Sequence, residues 1–325
     1  MERPHPRPSL ALGLLAQAAD LVARRRRTTL PRAGPDQLPT LAVHGLVLGG
    51  AGKTPLCAWL AERLARRLGG PVAVGTRQRA IAGDEADLLR HRLPGSPVFA
   101  CPEPRQAVEA SRAAGCRAVV LDDPSLTRPA PAHFRVVCLR PGDAWTLPAF
   151  PAGERRPGCI RPGEADHLVL FDGAAPPPGV SLPASRARTV ATGVLPLDRF
   201  RTRSRKPTRR TPHDLPVFVL CAVARPERVL ASLRSLGAVV VGSRLLRDHA
   251  ALPPSLCAEV ERRALERAAR AVVVTEKDAM RLGRTAAAGL PWLVLATELE
   301  LEGGGEALLS AFLATCSPDR RPSAS

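Results

Sequence analysis

The segment VLGGAGKTPL, Val47–Leu56, carries the strongest indication of fold in this sequence. It follows an apolar run, LAVHGLVL at 41–48, which predicts a buried strand, and it leads into TPLCAWLAERLARRL at 54–68, which predicts an amphipathic helix. A strand, a glycine-rich turn, Gly-Lys-Thr and a helix form the context that a phosphate-binding loop requires. Valine stands at position 47, where the first glycine of that loop usually lies, but Gly49 and the glycine after it still let the backbone approach phosphates closely.

Six consecutive residues are the candidate nucleotide-binding residues: Gly49, Gly50, Ala51, Gly52, Lys53 and Thr54. The backbone N–H groups up to Lys53 are expected to bind phosphate oxygens, assisted by the helix N-terminus. Lys53 is expected to neutralise the β- and γ-phosphates, and the Thr54 hydroxyl to bind Mg²⁺. Pro55 lies in the first helical turn, where its missing N–H is tolerated.

Two acids follow a later apolar run, RAVVLDD at 117–123. Asp122 and Asp123 are therefore predicted at the carboxyl end of a strand, within reach of Mg²⁺ directly or through water. Alone, such a pair is equally typical of a solvated strand end, but together with the loop it predicts a nucleotide site. The run AVVVTEKD, 271–278, predicts a strand that ends with TEKD, 275–278. This motif resembles the guanine-reading motif of GTPases, but glutamate stands second where that motif has lysine. We therefore expect ATP as the nucleotide.

The composition limits the choice of partner. A chain of 325 residues is long enough for one large or two ordinary α/β domains, and a formal net charge of +17 favours an anionic partner. Aromatic residues make up 3% of the chain and tyrosine is absent, which argues against base stacking on nucleic acid. Eight scattered cysteines without a CxxC pair are typical of reduced, buried thiols in a cytoplasmic protein, and they do not supply the clusters of a GTPase-type metallochaperone.

The N-terminal segment, SLALGLLAQAADLVARRRR, has leucines at helical spacing followed by Arg24–Arg27. Its charges follow the apolar run, which differs from a signal peptide, and Gln17 and Asp20 interrupt a run already too short to span a bilayer. The pattern favours a helix lying in the plane of a membrane surface. The alternative is a helix packed on the body of the protein with a solvated arginine run.

The alternation of strands and helices predicts an α/β fold of the P-loop NTPase type, with a mostly parallel sheet and helices on both faces. We expect two α/β lobes joined by a basic, proline-rich linker, in which RFRTRSRKPTRR has no apolar periodicity. The predicted boundaries are 1–40 for the N-terminal helix and connector, 41–172 for the phosphate-loop lobe, 173–215 for the linker, and 216–325 for a second lobe that completes the active site.

The sequence resembles the tetraacyldisaccharide 4'-kinase family, the lipid A 4'-kinases, in several motifs that occur in the family's order. The loop GLVLGGAGKTP is similar to the family's GGxGKTP loop, which also lacks the usual first glycine. The segments GDEADLL at 83–89, LPAFPAG, SRLLRDH and VVVTEKDAMRL resemble further family elements, and the N-terminal helix matches the family's membrane-association helix.

The resemblance implies transfer of the γ-phosphoryl group of ATP, with Mg²⁺, to the 4'-hydroxyl of a tetraacylated disaccharide 1-phosphate. The family pairs an aspartate with a histidine to activate this hydroxyl, and the motif positions here are Asp84 and His249. The expected acceptor is an anionic glycolipid, and the expected location is the cytoplasmic face of the bacterial inner membrane, with the enzyme peripheral and monomeric. We expect no nucleic-acid partner, although a basic P-loop ATPase acting on nucleic acid is a further alternative.

The sequence departs from the family pattern at functional segments. The family's Ser-Arg-Gly-Tyr-Gly is Thr76–Ala80 here, its Gly-apolar-Gln-His after the acidic strand end is Pro124–Thr127, and its Leu-Arg-Glu-Pro is Arg155–Gly158. The family glutamate is thus absent unless Glu154 or Glu164 replaces it. These departures leave open a homologue that binds ATP or lipid without efficient transfer, or that acts on another amphipathic sugar. Because Lys53 and Thr54 are retained, we expect an active kinase.

Overall fold

The computed structural model describes residues 10–26, 29–47, 49–78, 84–124, 126, 128–202, 209–248, 250–283 and 289–316. Within these ranges, the chain forms the following helices and strands in order: α1 (Leu10–Arg26), β1 (Thr40–Gly45), α2 (Lys53–Leu68), β2 (Val72–Arg77), α3 (Asp84–Arg92), β3 (Val98–Cys101), α4 (Pro104–Ala113), β4 (Ala118–Asp122), β5 (Phe134–Leu139), β6 (His167–Phe171), β7 (Ala184–Pro196), α5 (Leu197–Arg201), β8 (Pro216–Cys221), α6 (Pro226–Ser235), β9 (Val239–Leu245), α7 (Pro254–Glu266), β10 (Ala271–Thr275), α8 (Glu276–Arg281), β11 (Trp292–Leu301) and α9 (Glu306–Cys316).

The chain divides into two compact units. The phosphate-loop unit consists of Met1–Gln78, Leu93–Arg188 and Leu301–Ser325, and the second unit consists of Arg79–Arg92 and Thr189–Glu300. The sequence had predicted contiguous lobes, whereas the observed units exchange segments: α3 groups with the second unit and α9 with the phosphate-loop unit. Packing partners that are distant in the chain decide such groupings, so local sequence patterns do not indicate them.

In the phosphate-loop unit, the strand order is β3-β2-β4-β1-β5-β6-β7. Strand β1 pairs in parallel with β4 on one side and with β5 on the other. All six residues of β1 are buried, as expected for a central strand covered on both faces. After β1 the chain continues to β2 on one side of the sheet, whereas after the adjacent strand β5 it continues to β6 on the other side. Ligands of open α/β sheets bind at such switch points, beside the carboxyl ends of the two strands.

Helix α2 follows β1 after the glycine-rich loop. It begins directly after Gly52, which has φ 82°, and ends at Gly69, whose left-handed conformation lets its N–H donate to Ala65 O. One face, including Leu56, Leu60 and Leu64, is fully buried, which confirms the predicted amphipathic helix.

In the second unit, the strand order is β7-β11-β10-β8-β9, and β10 pairs in parallel with both β8 and β11. Alternate residues of β8 enter different clusters: Val217 and Val219 pack with Leu233 of α6, whereas Phe218 packs with Val260 of α7. Helices therefore cover both faces of this sheet, as the sequence predicts.

The predicted linker at 173–215 is wrong over Ala184–Arg201, where the structure has β7 and α5. Strand β7 obtains its hydrogen bonds from β6, with Leu168 opposite Ala184 and Phe171 opposite Ala187. The sequence of this segment does not show the strand clearly, because exposed arginines alternate with small buried residues instead of large apolar ones. A second difference concerns TEKD, read as the end of a strand; the strand ends at Thr275 and α8 begins at Glu276.

Candidate active site

The glycine-rich loop lies at the carboxyl end of β1. Gly49, Gly50 and Gly52 have φ values of 78°, 62° and 82°, in the left-handed region that glycine adopts without strain. Lys53 is the first residue of α2, so the N–H groups at the start of this helix face the loop. Such a loop followed by a helix N-terminus can bind an anionic group.

A buried arginine contacts the backbone of the glycine-rich loop. Arg140 follows β5, and its Nε donates a hydrogen bond to Gly50 O while its Nη1 pairs with Asp172. Its guanidinium carbon lies 4.9 Å from the ring centroid of Phe171. A Cβ at Gly52 would lie 2.7 Å from Phe171 Cζ, so this aromatic ring excludes any other residue there. The backbone of the loop is thus fixed by groups from β5 and β6.

Thr54 and Asp122 are in direct contact although 68 positions separate them in the chain. Thr54 Oγ1 donates to Asp122 Oδ2 over 2.8 Å. Thr54 lies in the first turn of α2, and Asp122 is the last residue of β4, where it is buried. A hydroxyl and a carboxylate at this distance form a pair of oxygen ligands suited to a hard cation such as Mg²⁺.

Two cations share the neighbouring carboxylate. Lys53 Nζ lies 3.7 Å and Arg156 Nη2 lies 2.5 Å from Asp123 Oδ2. The backbone N–H of Arg156 also donates to Leu46 O over 2.7 Å, which fixes this residue beside the loop. Burial tends to raise the pKa of Asp123, but the charges of Lys53 and Arg156 outweigh burial and hold this pKa below its usual value.

His44, in β1, contributes a neutral group beneath this cluster. It is buried, and burial lowers its pKa to about 3; Asp123 opposes this effect, whereas Arg135, Arg156 and Lys53 reinforce it. The imidazole is therefore uncharged at neutral pH, and the charge of the cluster rests on Lys53, Arg156 and the two acids.

The structure brings together the phosphate-loop residues, Asp122 and Asp123 as the sequence predicts. The predicted Asp84 is the first residue of α3, but its side chain lies outside the described residues, as does the whole of His249. Their catalytic roles remain predictions.

Sequence reasoning missed the contributions of Arg140 and Arg156. Arg156 belongs to the segment 155–158, which the sequence analysis singled out because it differs from the family motif. That difference was the only indication that this residue could matter at the site. Of the two glutamates considered as replacements in this region, Glu154 is exposed, and Glu164 Oε2 accepts from Arg161 N over 2.7 Å. The residue of this segment that contacts the acidic pair is Arg156.

The N-terminal helix α1 packs within the phosphate-loop unit through the face that carries Ala16 and Asp20. Asp20 is buried and accepts from Arg155 Nη2 over 2.9 Å and from Gly158 N over 2.9 Å. A Cβ at Gly158 would lie 2.9 Å from Ala23 Cβ, so the contact is close. The other face exposes five large apolar side chains: Leu12, Leu14, Leu15, Leu21 and Val22. The helix therefore has one face packed against the protein, and it also has exposed apolar side chains that are available to bind a membrane surface.

Among the described residues, no helix combines the length and the apolar character needed to cross a membrane. The helix α1 has 17 residues and carries the buried Asp20 within it.

The parallel sheet, the switch point at β1 and the Gly-Lys-Thr loop with its acidic strand end define a P-loop protein of the α/β class. Comparison with known proteins gives the family. The model of the tetraacyldisaccharide-1-P 4'-kinase family, LpxK, matches residues 9–315, and the chain belongs to this family.

Curated relatives carry the same name. A tetraacyldisaccharide 4'-kinase from Anaeromyxobacter sp. (strain Fw109-5) is 33% identical over 332 residues, covering 91% of this chain and 83% of that protein. Another from Methylobacterium sp. (strain 4-46) is 33% identical over 330 residues, covering 94% of each. The crystal structure of LpxK from Aquifex aeolicus in complex with ATP aligns with a TM-score of 0.65 at 17% identity, covering 95% of this chain and 97% of that one, and shows the same fold.

Proposed function

We propose that this protein is a lipid A biosynthesis kinase that transfers the γ-phosphoryl group of ATP to the 4'-hydroxyl of tetraacyldisaccharide 1-phosphate. The observation that carries the proposal is the contact of Thr54 with Asp122 beside Lys53, at the end of the central strand. Membership of the 4'-kinase family supports the choice of acceptor. Phosphoryl transfer depends chiefly on positioning and charge neutralisation, and the residues of this loop supply both.

In the proposed site, the N–H groups of Gly49–Lys53 bind the phosphates and the Lys53 ammonium neutralises the β- and γ-phosphates. The Thr54 hydroxyl and the Asp122 carboxylate fit Mg²⁺, because both present oxygen at the same point. Within the part of the chain that the structure describes, no three His, Cys, Asp or Glu side chains could hold a metal by themselves. Mg²⁺ would therefore complete its shell with phosphate oxygens and water, as it commonly does. When bound, it would draw charge from the transferred group.

The 4'-hydroxyl oxygen attacks the γ-phosphorus, the bond to the β–γ bridging oxygen breaks, and ADP leaves. The hydroxyl proton needs an acceptor, and by family resemblance we assign it to His249, with Asp84 holding the imidazole tautomer. Both residues belong to the second unit.

A homologue that binds ATP without transferring phosphate is the second candidate. The pairing of Arg156 with Asp123 favours it, because a second cation opposes metal binding at that carboxylate. The contact of Thr54 with Asp122 is unaffected by this arginine, and Lys53 is retained. We therefore place transfer first.

The proposed location is the cytoplasmic face of the inner membrane. Supporting features are the exposed leucines of α1, the Arg24–Arg27 run at its end and the net charge of +17. An acceptor with acyl chains and a 1-phosphate resides at such a surface, and cations close to it favour anionic lipids.

The test is a transfer assay with ATP, Mg²⁺ and tetraacyldisaccharide 1-phosphate in detergent micelles, for wild type, Lys53→Ala and His249→Ala. We expect transfer by wild type, none by Lys53→Ala, and a rate about 10²–10⁴ lower for His249→Ala, as for a lost general base. Tight ATP binding by wild type without any transfer would instead support the second candidate.

A further inference from the structure

The TEKD segment, Thr275–Asp278, belongs to the second unit and not to the phosphate-loop unit. It forms the turn from β10 into α8. Thr275 Oγ1 accepts from Asp278 N over 3.1 Å and donates to Asp278 Oδ2 over 2.8 Å, while the same carboxylate accepts from Ala222 N over 3.2 Å. Asp278 is fully buried. The first and last residues of the segment therefore cap α8 and tie its start to the end of β8.

The second residue of the segment holds α3. Glu276 Oε2 accepts from Arg92 Nε over 2.7 Å and pairs with Arg92 Nη2 at 2.5 Å, while its Oε1 accepts from Thr297 N over 3.2 Å. Arg92 is the last residue of α3, and Asp84 is the first. A helix of this length is a stiff rod of roughly 13 Å, so fixing one end restricts where the other can lie.

The third residue holds the loop after β9. Lys277 Nζ pairs with Asp248 Oδ1 at 3.3 Å, and one turn further along α8 Arg281 Nη2 donates to Ala250 O. Arg281 is itself oriented by Asp278, at 3.5 Å. Asp248 and Ala250 are the two chain neighbours of His249. The backbone on both sides of that position is thus attached to α8.

We propose that Glu276 and Lys277 are positioning residues for phosphoryl transfer, which hold the helix of Asp84 and the loop of His249 in a fixed relation through α8. The inference rests on the function proposed above. In this role, neither residue needs to contact the reacting atoms. Glu276 acts through Arg92 at the far end of α3, and Lys277 acts through Asp248. Small misplacements of groups that activate a nucleophile lower rates strongly, by about 10²-fold for 1 Å.

The burial of these side chains distinguishes an effect on positioning from an effect on the stability of the unit. Asp278 is fully buried, so its loss would destabilise the unit as a whole. The Lys277 side chain is 21% exposed and its partner Asp248 26% exposed, so water reaches both charges and their loss is expected to cost less global stability than the loss of Asp278. A large effect of Lys277 on turnover with an unchanged unfolding transition would therefore report positioning.

The experiment compares Lys277→Ala, Lys277→Arg and Glu276→Gln with wild type in the full chain. The matched control is Arg263→Ala, which breaks the exposed Arg263–Glu259 pair on α7 of the same unit. We expect kcat to fall by about 10²-fold in Lys277→Ala and to recover in part in Lys277→Arg. The KM for ATP is expected to stay unchanged, because the phosphate loop belongs to the other unit. Arg263→Ala is expected to match wild type.

Hydrogen exchange measured on the same variants tests whether Glu276 and Lys277 hold these two segments, and it does not require an active enzyme. Lys277→Ala is expected to speed amide exchange in peptides covering 245–251, and Glu276→Gln in peptides covering 84–92, while exchange in α2 stays unchanged. Unchanged exchange in both segments, or unchanged kcat in an active enzyme, would overturn the inference. Absence of transfer by wild type would contradict only the proposed kinase reaction. The exchange data would then show by themselves whether Glu276 and Lys277 hold the two segments.

Discussion

Arg156 Nη2 lies 2.5 Å from Asp123 Oδ2, and Lys53 Nζ lies 3.7 Å from the same oxygen. The Asp123 carboxylate is thus paired with two positive charges. The neighbouring Asp122 carboxylate accepts a hydrogen bond from Thr54. Arg156 comes from the segment that the motif resemblance predicts to differ from the family. It adds a positive charge directly beside the acidic pair.

Removal of this arginine is expected to ease metal binding. In Arg156→Gln, Lys53 is the one cation paired with Asp123 among the described residues, so Mg²⁺ meets less repulsion. We expect the Mg²⁺ concentration at half-maximal transfer to fall by roughly fivefold, since a partly screened charge pair of this kind is worth about 1 kcal/mol. The measurement is transfer rate against Mg²⁺ concentration, with the exposed Arg161→Gln as control. A higher Mg²⁺ requirement in Arg156→Gln would contradict this account of the pair.

The arginine behind the loop is expected to control nucleotide affinity. Arg140→Lys keeps the charge but loses the fork that reaches Gly50 O and Asp172 together. ATP affinity measured by calorimetry is expected to fall by about tenfold or more, because a hydrogen bond to a charged group is worth about 1.5–3 kcal/mol. Arg128→Lys, at an exposed pair with Glu103, serves as control. Equal affinities in Arg140→Lys and wild type would show that the loop does not depend on this contact.

The buried pair that anchors α1 is expected to matter for stability. Asp20→Ala leaves the Arg155 guanidinium buried without its carboxylate, which costs about 3–5 kcal/mol in the free energy of unfolding. Urea denaturation of Asp20→Ala gives this value directly. The control is Asp87→Ala, which breaks an exposed pair with Arg90. A loss no larger than that of the control would mean that α1 is not held by this pair.

The apolar face of α1 is expected to bind lipid. Leu14 is 66% exposed and Leu15 59%, so burial of each in a bilayer surface contributes about 1.5–3 kcal/mol. Sedimentation with anionic vesicles is expected to show at least tenfold weaker binding for Leu14→Ser. Leu265→Ser, on α7 and 56% exposed, provides a matched control. If both variants bind vesicles as wild type does, α1 is not the lipid-binding face.

His44 is expected to make the protein acid-sensitive. Its pKa is about 3 in the folded state and about 6.5 when unfolded, so the unfolded chain binds the extra proton between these values. Stability therefore falls as pH drops below about 6.5, by up to about 1.4 kcal/mol per pH unit. His44→Gln is expected to lose about 2 kcal/mol less than wild type between pH 7.5 and pH 5.0, measured by urea unfolding at both. Equal losses would show that His44 is not held neutral.

The central part of the fold could be predicted from the sequence because its signals are local. The apolar run of β1, the glycines of the loop and the leucine spacing of α2 all lie within 30 residues. The acidic pair at the end of β4 was also recognisable, since a parallel sheet brings the carboxyl ends of its strands to one edge.

The remaining parts depend on contacts that no local pattern carries. Arg140 reaches Gly50 across 90 positions, and Arg155 reaches Asp20 across 135. The position of β7 is determined by its pairing with β6, and the charged residues in the β7 sequence do not indicate a strand. The start of α8 did have a local signal, since Thr275 with Asp278 three residues later is typical of a helix N-terminus, but the preceding valines favoured a longer strand.

Mass spectrometry of tetraacyldisaccharide 1-phosphate after incubation with ATP and Mg²⁺, for wild type beside Lys53→Ala, tests the proposed phosphoryl transfer itself. We expect wild type to add one phosphoryl group at the 4'-position and Lys53→Ala to add none. An unphosphorylated acceptor after incubation with folded, ATP-binding wild type would rule out the proposed kinase reaction.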